Sequence, residues 1–508
     1  MRGSSSRLVV VGLAAGGVLL AGCGMGTASR QVTSDDDLAR FHDQKVDWKP
    51  CPAADVPQPQ QDQDEPPEFE CASVTVPLDY DRPDGKRIEL ALNRLPATDR
   101  DHRLGPLLTN PGGPGESGLE YVYQTAPDQL SSKLRARYDI IGMDPRGVGR
   151  SSPVRCMTYR EYSRLQQRET DPAKVAEAFA RSCEKKSGDL LPFVGSDNAA
   201  RDLDVVRAAL GADKLDYLGF SYGTELGQFY AEQFPRRVGR MALDSVVNPT
   251  TARDYAARAV AFETALGVFV QSCLDKGHCP MGSRRAAVLA KIDGLVDRAR
   301  SKPLATGRGT PPVGAETLVQ GIYQAMYQEG AWPALSKALA AAFAGDGRPL
   351  GAFLEAGDGS PDPDEDAVGG NSAVDCIQHR PEDRTPEAVR ESIAEAGRDA
   401  PLFGREFAAG AIWRCAKWPA PSIPLAGRAL TAEGAPEILL VNNRNDPATP
   451  VSGARGVEGQ LADATLVTND SGGHLFYPKG RCTQQVVDDF LLRGKLPAGN
   501  KTCHDRDA

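Results

Sequence analysis

Residues 214–227 read KLDYLGFSYGTELG. A β-type run of Leu215, Tyr217 and Leu218 meets Gly219, Ser221 and Gly223, and then a segment able to start a helix. This is the G-x-S-x-G pattern in the context that gives it meaning, a serine on a strained strand-to-helix turn. Small residues two before and two after the serine are needed there because any side chain would collide across so tight a bend. The helix that follows points backbone N–H groups toward the place where an oxyanion would form. A bare G-x-S-x-G is common, so its neighbours decide its standing.

Upstream, CASVTVPLDY and RIELALNRLPA alternate as strands across the turn Pro83-Asp84-Gly85. Gly105 to Thr109 forms a short buried strand that runs into Asn110-Pro111-Gly112-Gly113-Pro114-Gly115. Glycine in that density after a strand lets backbone approach a ligand and frees N–H groups to point inward. The strand YDIIGMD ends in Asp144 and Arg146, which read as a structural ion pair and turn. Asn198 to Leu210 presents Leu203, Val206 and Leu210 on one helical face, and RMALDS gives a strand after the elbow. Alternating strands and helices of this kind predict an α/β fold, a parallel sheet with helices on both faces.

From about 248 to 425 the chain changes to alanine-rich helical patterns such as AARAVAFETALGVFVQSCL, interrupted by GDGSPDPDEDAVGG. The sheet pattern resumes in PEILLVN and ATLVT, and a last helix spans Thr483 to Arg493. Continuity of the sheet favours a helical cap inserted at 248–425 between core halves at 49–247 and 426–508, over an unrelated second domain.

A serine needs a base, and that base needs an acid to set its tautomer and stabilise its charged form. Among six histidines, His474 alone follows a strand near the C-terminus in a glycine-flanked loop, SGGHLF. Asp446, 28 positions earlier in NRNDPATP, is the leading acid, and Asp244 at the end of RMALD is its rival. Thr449 is close enough to Asp446 in sequence to shape that turn. The order serine, acid, histidine makes Ser221, Asp446 and His474 the candidate triad, and the glycine loop after Thr109 the candidate first half of an oxyanion hole.

Net charge is −9, and loss of the residues before Cys23 removes Arg2 and Arg7 and no acids, leaving −11. An acidic chain without basic blocks argues against nucleic acid as a partner. Arg2 and Arg7 flank the start of the apolar run Leu8 to Leu20, and Leu20-Ala21-Gly22-Cys23 follows. This reads as a signal peptide at 1–22 with lipidation at Cys23, a flexible tether at 23–48 and a membrane contact through the lipid alone; the alternative is a plain secretory signal. Assigning Cys23 to lipid leaves an even ten cysteines, which in an exported chain implies disulfides. Connectivity does not follow from spacing, and the simplest arrangement is sequential: Cys51 with Cys71, Cys156 with Cys183, Cys273 with Cys279, Cys376 with Cys415 and Cys482 with Cys503. With no C-x-x-C or paired-histidine spacing, no metal and no cofactor is expected.

Taken together, GFSYGTELG, NPGGPG, DPRGVGRS, NRNDPATP and SGGHLF resemble the secreted tripeptidyl aminopeptidases of actinomycetes, prolyl-aminopeptidase-like serine peptidases of the α/β-hydrolase fold with a TAP-like C-terminal domain. The likeness runs from Cys51 onward. It implies that Ser221 is the nucleophile, Asp446 the acid and His474 the base, that backbone N–H groups of Gly113 and Tyr222 form the oxyanion hole, and that peptide or protein N-termini are the substrate, bound under the cap and shortened by a tripeptide or similar piece. A charged amine in a closed site requires carboxylates. Asp375 is a candidate, and near Cys376, where the family often carries a further acid, this chain has Gln378. A lipoprotein carboxylesterase would use the same triad, since one fold hosts both chemistries. A binding protein on this scaffold would have no use for an activated serine.

Overall fold

The computed structural model describes residues 35–56, 68–307, 312–357, 369–404 and 408–505. The signal segment, Cys23, the first half of the tether and most of GDGSPDPDEDAVGG lie outside the described residues.

Ten strands form one sheet in the order β1-β2-β3-β5-β4-β6-β7-β8-β9-β10 among the described residues. β1 (Lys49–Pro50), β2 (Glu70–Pro77) and β3 (Arg87–Leu95) are antiparallel to their neighbours. β4 (Gly105–Asn110), β5 (Tyr138–Met143), β6 (Leu215–Phe220), β7 (Val238–Asp244), β8 (Ile438–Asn445), β9 (Ala464–Gly472) and β10 (Thr502–Cys503) pair in parallel. β4 to β7 are near-continuous apolar runs because a parallel strand is covered on both faces. One face packs Leu108, Ile141 and Leu243 against the Ser196–Ala209 and Tyr222–Gln233 helices, and the other packs Leu107, Ile140 and Leu439 against the Arg481–Arg493 helix. The strand order reverses around β4 and β6, and the loops at their carboxyl ends hold the glycine-rich turn and Ser221. In open α/β sheets that is where ligands bind.

Between β7 and β8 the chain runs through helices with a hydrophobic core of their own, built on Phe262, Phe269, Leu318, Ile322, Leu335 and Phe403. The helix Tyr255–Asp275 is long and apolar enough to cross a membrane by composition, but its Phe262, Leu266, Phe269 and Val270 are buried in that core.

Two expectations change. Residues 35–42 are a helix, and Phe41 is buried in the main core while His42 Nε2 lies 3.2 Å from Asp204, so the second part of the tether is docked. Arg146 does not pair with Asp144. Its guanidinium, fully buried, takes Asp202 in a two-pronged pair at 2.6 Å and donates to the carbonyls of Pro77, Leu78 and Phe193. A buried charge needs that many partners, and losing one would cost about 3–5 kcal/mol. Asp144 instead accepts from Ser117 Oγ, Leu119 N and Arg150 N, tying the loop after β5 to the loop after β4.

The disulfides are Cys51–Cys71, Cys156–Cys183, Cys273–Cys279, Cys376–Cys415 and Cys482–Cys503, the sequential arrangement. Asp375, His379 and the Cys415 sulfur converge within 4.8 Å, but Cys415 is bonded to Cys376 and offers no thiolate to a metal.

Candidate active site

Ser221 stands between the end of β6 and the helix Tyr222–Gln233 with φ 52° and ψ −121°. A non-glycine residue at positive φ costs energy and persists only where its surroundings hold it. Here Ser221 N donates to Asp244 O at 2.9 Å, and its carbonyl accepts from Thr224 Oγ1 at 2.6 Å. The flanking glycines are there for space: a Cβ at Gly219 would stand 2.5 Å from Gly223 O, and one at Gly223 would stand 2.6 Å from Asn110 O. Both distances are prohibitive, so the turn admits no larger residue.

The glycine loop after β4 approaches the same point. A Cβ on Gly112 would be 2.9 Å from Ser221 Cβ and 3.2 Å from Tyr222 N, so this backbone lies against the serine. The Gly112 N–H is committed to Asn110 Oδ1 at 3.1 Å. The next amide in the chain is that of Gly113, the oxyanion-hole candidate. Glu116 follows directly. Although exposed by surface area, it is crowded by protein, and desolvation raises its carboxyl pKa against the opposing pull of His474. It was not singled out from sequence, where it is one acid in a glycine-proline loop.

His474 Nδ1 lies 2.8 Å from Asp446 Oδ2 and 3.0 Å from Oδ1. Asp446 is buried, and its two oxygens also accept from Ala448 N, Thr449 N and Thr449 Oγ1 at 2.8–2.9 Å. Burial pushes its pKa up, but the imidazole and these donors outweigh it and hold the carboxyl below its ordinary value. Thr449 therefore does more than shape a turn, since its hydroxyl donates to the carboxylate and sits 3.5 Å from His474 Nδ1.

Asp244, the rival acid, has a different task. Its oxygens accept from Phe476 N at 2.7 Å and Tyr477 N at 2.9 Å, so it holds the backbone just after His474 rather than the imidazole. Complete burial lifts its pKa to about 7 despite those two donors. A carboxyl whose folded pKa exceeds its unfolded value favours folding most below the unfolded pKa, and that contribution is lost as pH rises toward about 7. We therefore expect the unfolding temperature to fall between pH 5 and pH 7.5 by more in the wild type than in Asp244→Asn. Parallel curves in thermal melts would contradict this.

Asp375 is on the helix Gly369–Ile377, whose Ala373, Val374, Cys376 and Ile377 pack into the main core, and among the described residues it is not hydrogen-bonded to the triad residues. Its carboxylate accepts from Tyr255 OH and lies 3.3 Å from Arg253 Nε, while Arg253 also reaches Glu225 at 2.6 Å. Burial alone would raise its pKa, yet Arg253 and its other neighbours hold it low and ionised. Gln378 is buried, with both amide atoms lacking a hydrogen-bond partner among the described residues.

Residues 400–503 match the family described as TAP-like protein. The chain is 31% identical to serine protease Hip1 of Mycobacterium tuberculosis over 98% of its own length and 97% of that protein's. It is 34% identical to the tripeptidyl aminopeptidase of Streptomyces lividans, with 90% of this chain and 86% of that one covered. It is also 32% identical to carboxylesterase B of Mycobacterium tuberculosis, covering 85% and 86%. Similarity at this level along nearly the whole chain, joined to a serine on a strand-to-helix turn in a parallel sheet, carries the conclusion: the chain belongs to the tripeptidyl-aminopeptidase-like serine peptidases of the α/β-hydrolase fold.

Proposed function

We propose that the protein is an extracytoplasmic exopeptidase that releases short N-terminal peptides, three residues long as in its tripeptidyl aminopeptidase relative, through an acyl-enzyme. The observation that carries the reading is the pair of His474 Nδ1 and Asp446 at 2.8 Å, on a loop held by Asp244 and Ser245, with the Asp244 carbonyl also accepting from Ser221 N. With Nδ1–H donated to Asp446, His474 Nε2 is the basic nitrogen and takes the Ser221 proton as Oγ attacks the scissile carbonyl. The N–H groups of Gly113 and Tyr222 receive the developing oxyanion. His474 then protonates the leaving amine, and water completes hydrolysis by the same route in reverse. Asp375 would receive the substrate's ammonium: its side chain is 23% open and is held ionised.

The chromogenic substrate Ala-Pro-Ala-p-nitroanilide, compared with its N-acetylated twin, tests this. Hydrolysis of the free-amine form at least about tenfold faster in kcat/KM is expected, since a lost charge-assisted hydrogen bond costs about 1.5–3 kcal/mol. Equal rates would end the aminopeptidase reading, and turnover of p-nitrophenyl esters alone would favour the esterase chemistry named for carboxylesterase B. The signal segment and the five disulfides support a location outside the cytoplasm. A lipid on Cys23 predicts membrane-fraction activity that becomes soluble in Cys23→Ala; an unchanged distribution would refute it.

A further inference from the structure

The loop that carries His474 is gripped from two sides, and the second side is unexpected. From the core, Leu475 N donates to Ser245 Oγ at 2.9 Å, Asp244 accepts from Phe476 and Tyr477, and Asn443 Nδ2 reaches the carbonyls of Gly473 at 3.2 Å and Leu475 at 2.5 Å. From the cap, the connector between the helices Ala315–Met326 and Trp332–Phe343 supplies three more contacts. His474 N donates to Tyr327 O at 2.7 Å. Gly472 N donates to Glu329 Oε1 at 2.5 Å. The Tyr327 ring meets the imidazole edge-on with centroids 5.3 Å apart at 90°.

The sequence on the other side of the contact is consistent with that closeness. A Cβ on Gly472 would collide with the Glu329 carboxylate, and one on Gly473 would stand 2.8 Å from Tyr327 O. Gly473 also has φ +75°. Gly473 thus answers to both the bend and the Tyr327 carbonyl, and Gly472 leaves room for the Glu329 carboxylate. Tyr327 is itself fixed, because its hydroxyl bonds Tyr323 OH at 2.8 Å and lies 3.5 Å from Arg258 inside the cap.

We propose that Tyr327 and Glu329 are positioning residues for the base, so that the seated cap completes the catalytic site instead of only covering it. The proposal rests on the assignment of Ser221, Asp446 and His474 above and not on the choice between peptide and ester substrates. A base displaced by a fraction of an ångström from the serine loses rate steeply, whereas substrate affinity depends on other walls of the cleft. Loss of the grip is therefore a kcat effect.

The test uses the full chain and a fluorophosphonate, which reacts with the activated serine whatever the natural substrate. Glu329→Ala is expected to slow phosphonylation of Ser221 and to lower kcat on the chromogenic peptide about tenfold, with KM within about twofold of wild type. Glu329→Gln keeps an oxygen that accepts from Gly472 N–H and should recover most of both rates. Tyr327→Ala removes the ring that meets the imidazole and the hydroxyl that fixes it, and should lose about tenfold. Should Glu329→Ala fail to fold, Tyr327→Ala decides by the same readout. Wild-type labelling in Glu329→Ala or Tyr327→Ala, a loss confined to KM, or a glutamine variant as slow as the alanine one would overturn the proposal. Absence of label from the wild type would instead remove the nucleophile assignment on which it stands.

Discussion

Replacing Ser221 by alanine is expected to lower kcat by about 10⁴–10⁶ while leaving the unfolding temperature nearly unchanged. The chemistry needs the Oγ lone pair: without it His474 has no proton to take and no acyl-enzyme forms. Stability is another matter, because the strained turn is held by groups that alanine retains. Ser221 N still donates to Asp244 O, and its carbonyl still accepts from Thr224. Residual turnover from the oxyanion donors and from binding would persist, since these lie outside the side chain. Active-site titration with a fluorophosphonate and peptide hydrolysis by the same preparation measure both halves. Retained activity in Ser221→Ala would remove the mechanism.

The second large effect is expected at Asp446. Asp446→Asn should cost about 10⁴ in kcat at neutral pH with little change in fold. A carboxylate only accepts, so it obliges His474 Nδ1 to carry the proton and leaves Nε2 basic. Asparagine can point its NH₂ at Nδ1, which then accepts, and the proton moves to Nε2, the nitrogen that must be free. The oxygen of the amide would meanwhile remain with Ala448 N and Thr449 N, which now hold Oδ1 at 2.9 Å. Those donors thus fix the harmful rotamer. A fall in kcat of less than about tenfold would show that another acid serves the base, with Asp244 the first to examine.

Asp244 shows where sequence reasoning had to stop. Both aspartates end strands, both precede His474 in the chain, and both are buried. Periodicity cannot separate them, because the difference is which atoms they face: Asp446 takes the imidazole, and Asp244 takes the backbone N–H groups of Phe476 and Tyr477, two and three residues past that histidine. Arg146 makes the same point. Its neighbour in sequence, Asp144, was the natural partner, yet a helix 56 positions away supplies Asp202.

The elbow, the glycine loop and the order serine, acid, histidine were legible from residues alone because their causes are local. Steric clash across a two-residue turn demands Gly219 and Gly223 whatever the rest of the chain does, and apolar runs bounded by turns mark parallel strands wherever they pack. Glycines 472 and 473 were legible only in part: one bend explains one glycine, and the other answers to Glu329 and Trp332, more than a hundred residues earlier. The docking of residues 35–42, the pairing of Arg146 with Asp202, the pairing of Asp375 with Arg253 and the grip of Tyr327 on the histidine loop all depend on which surfaces meet after the chain has closed. Hydrogen bonds and ion pairs between distant segments leave no period and no spacing in a sequence. The sequence by itself therefore determined the reaction's parts and their order, and only the tertiary structure decided which neighbours hold each part in place.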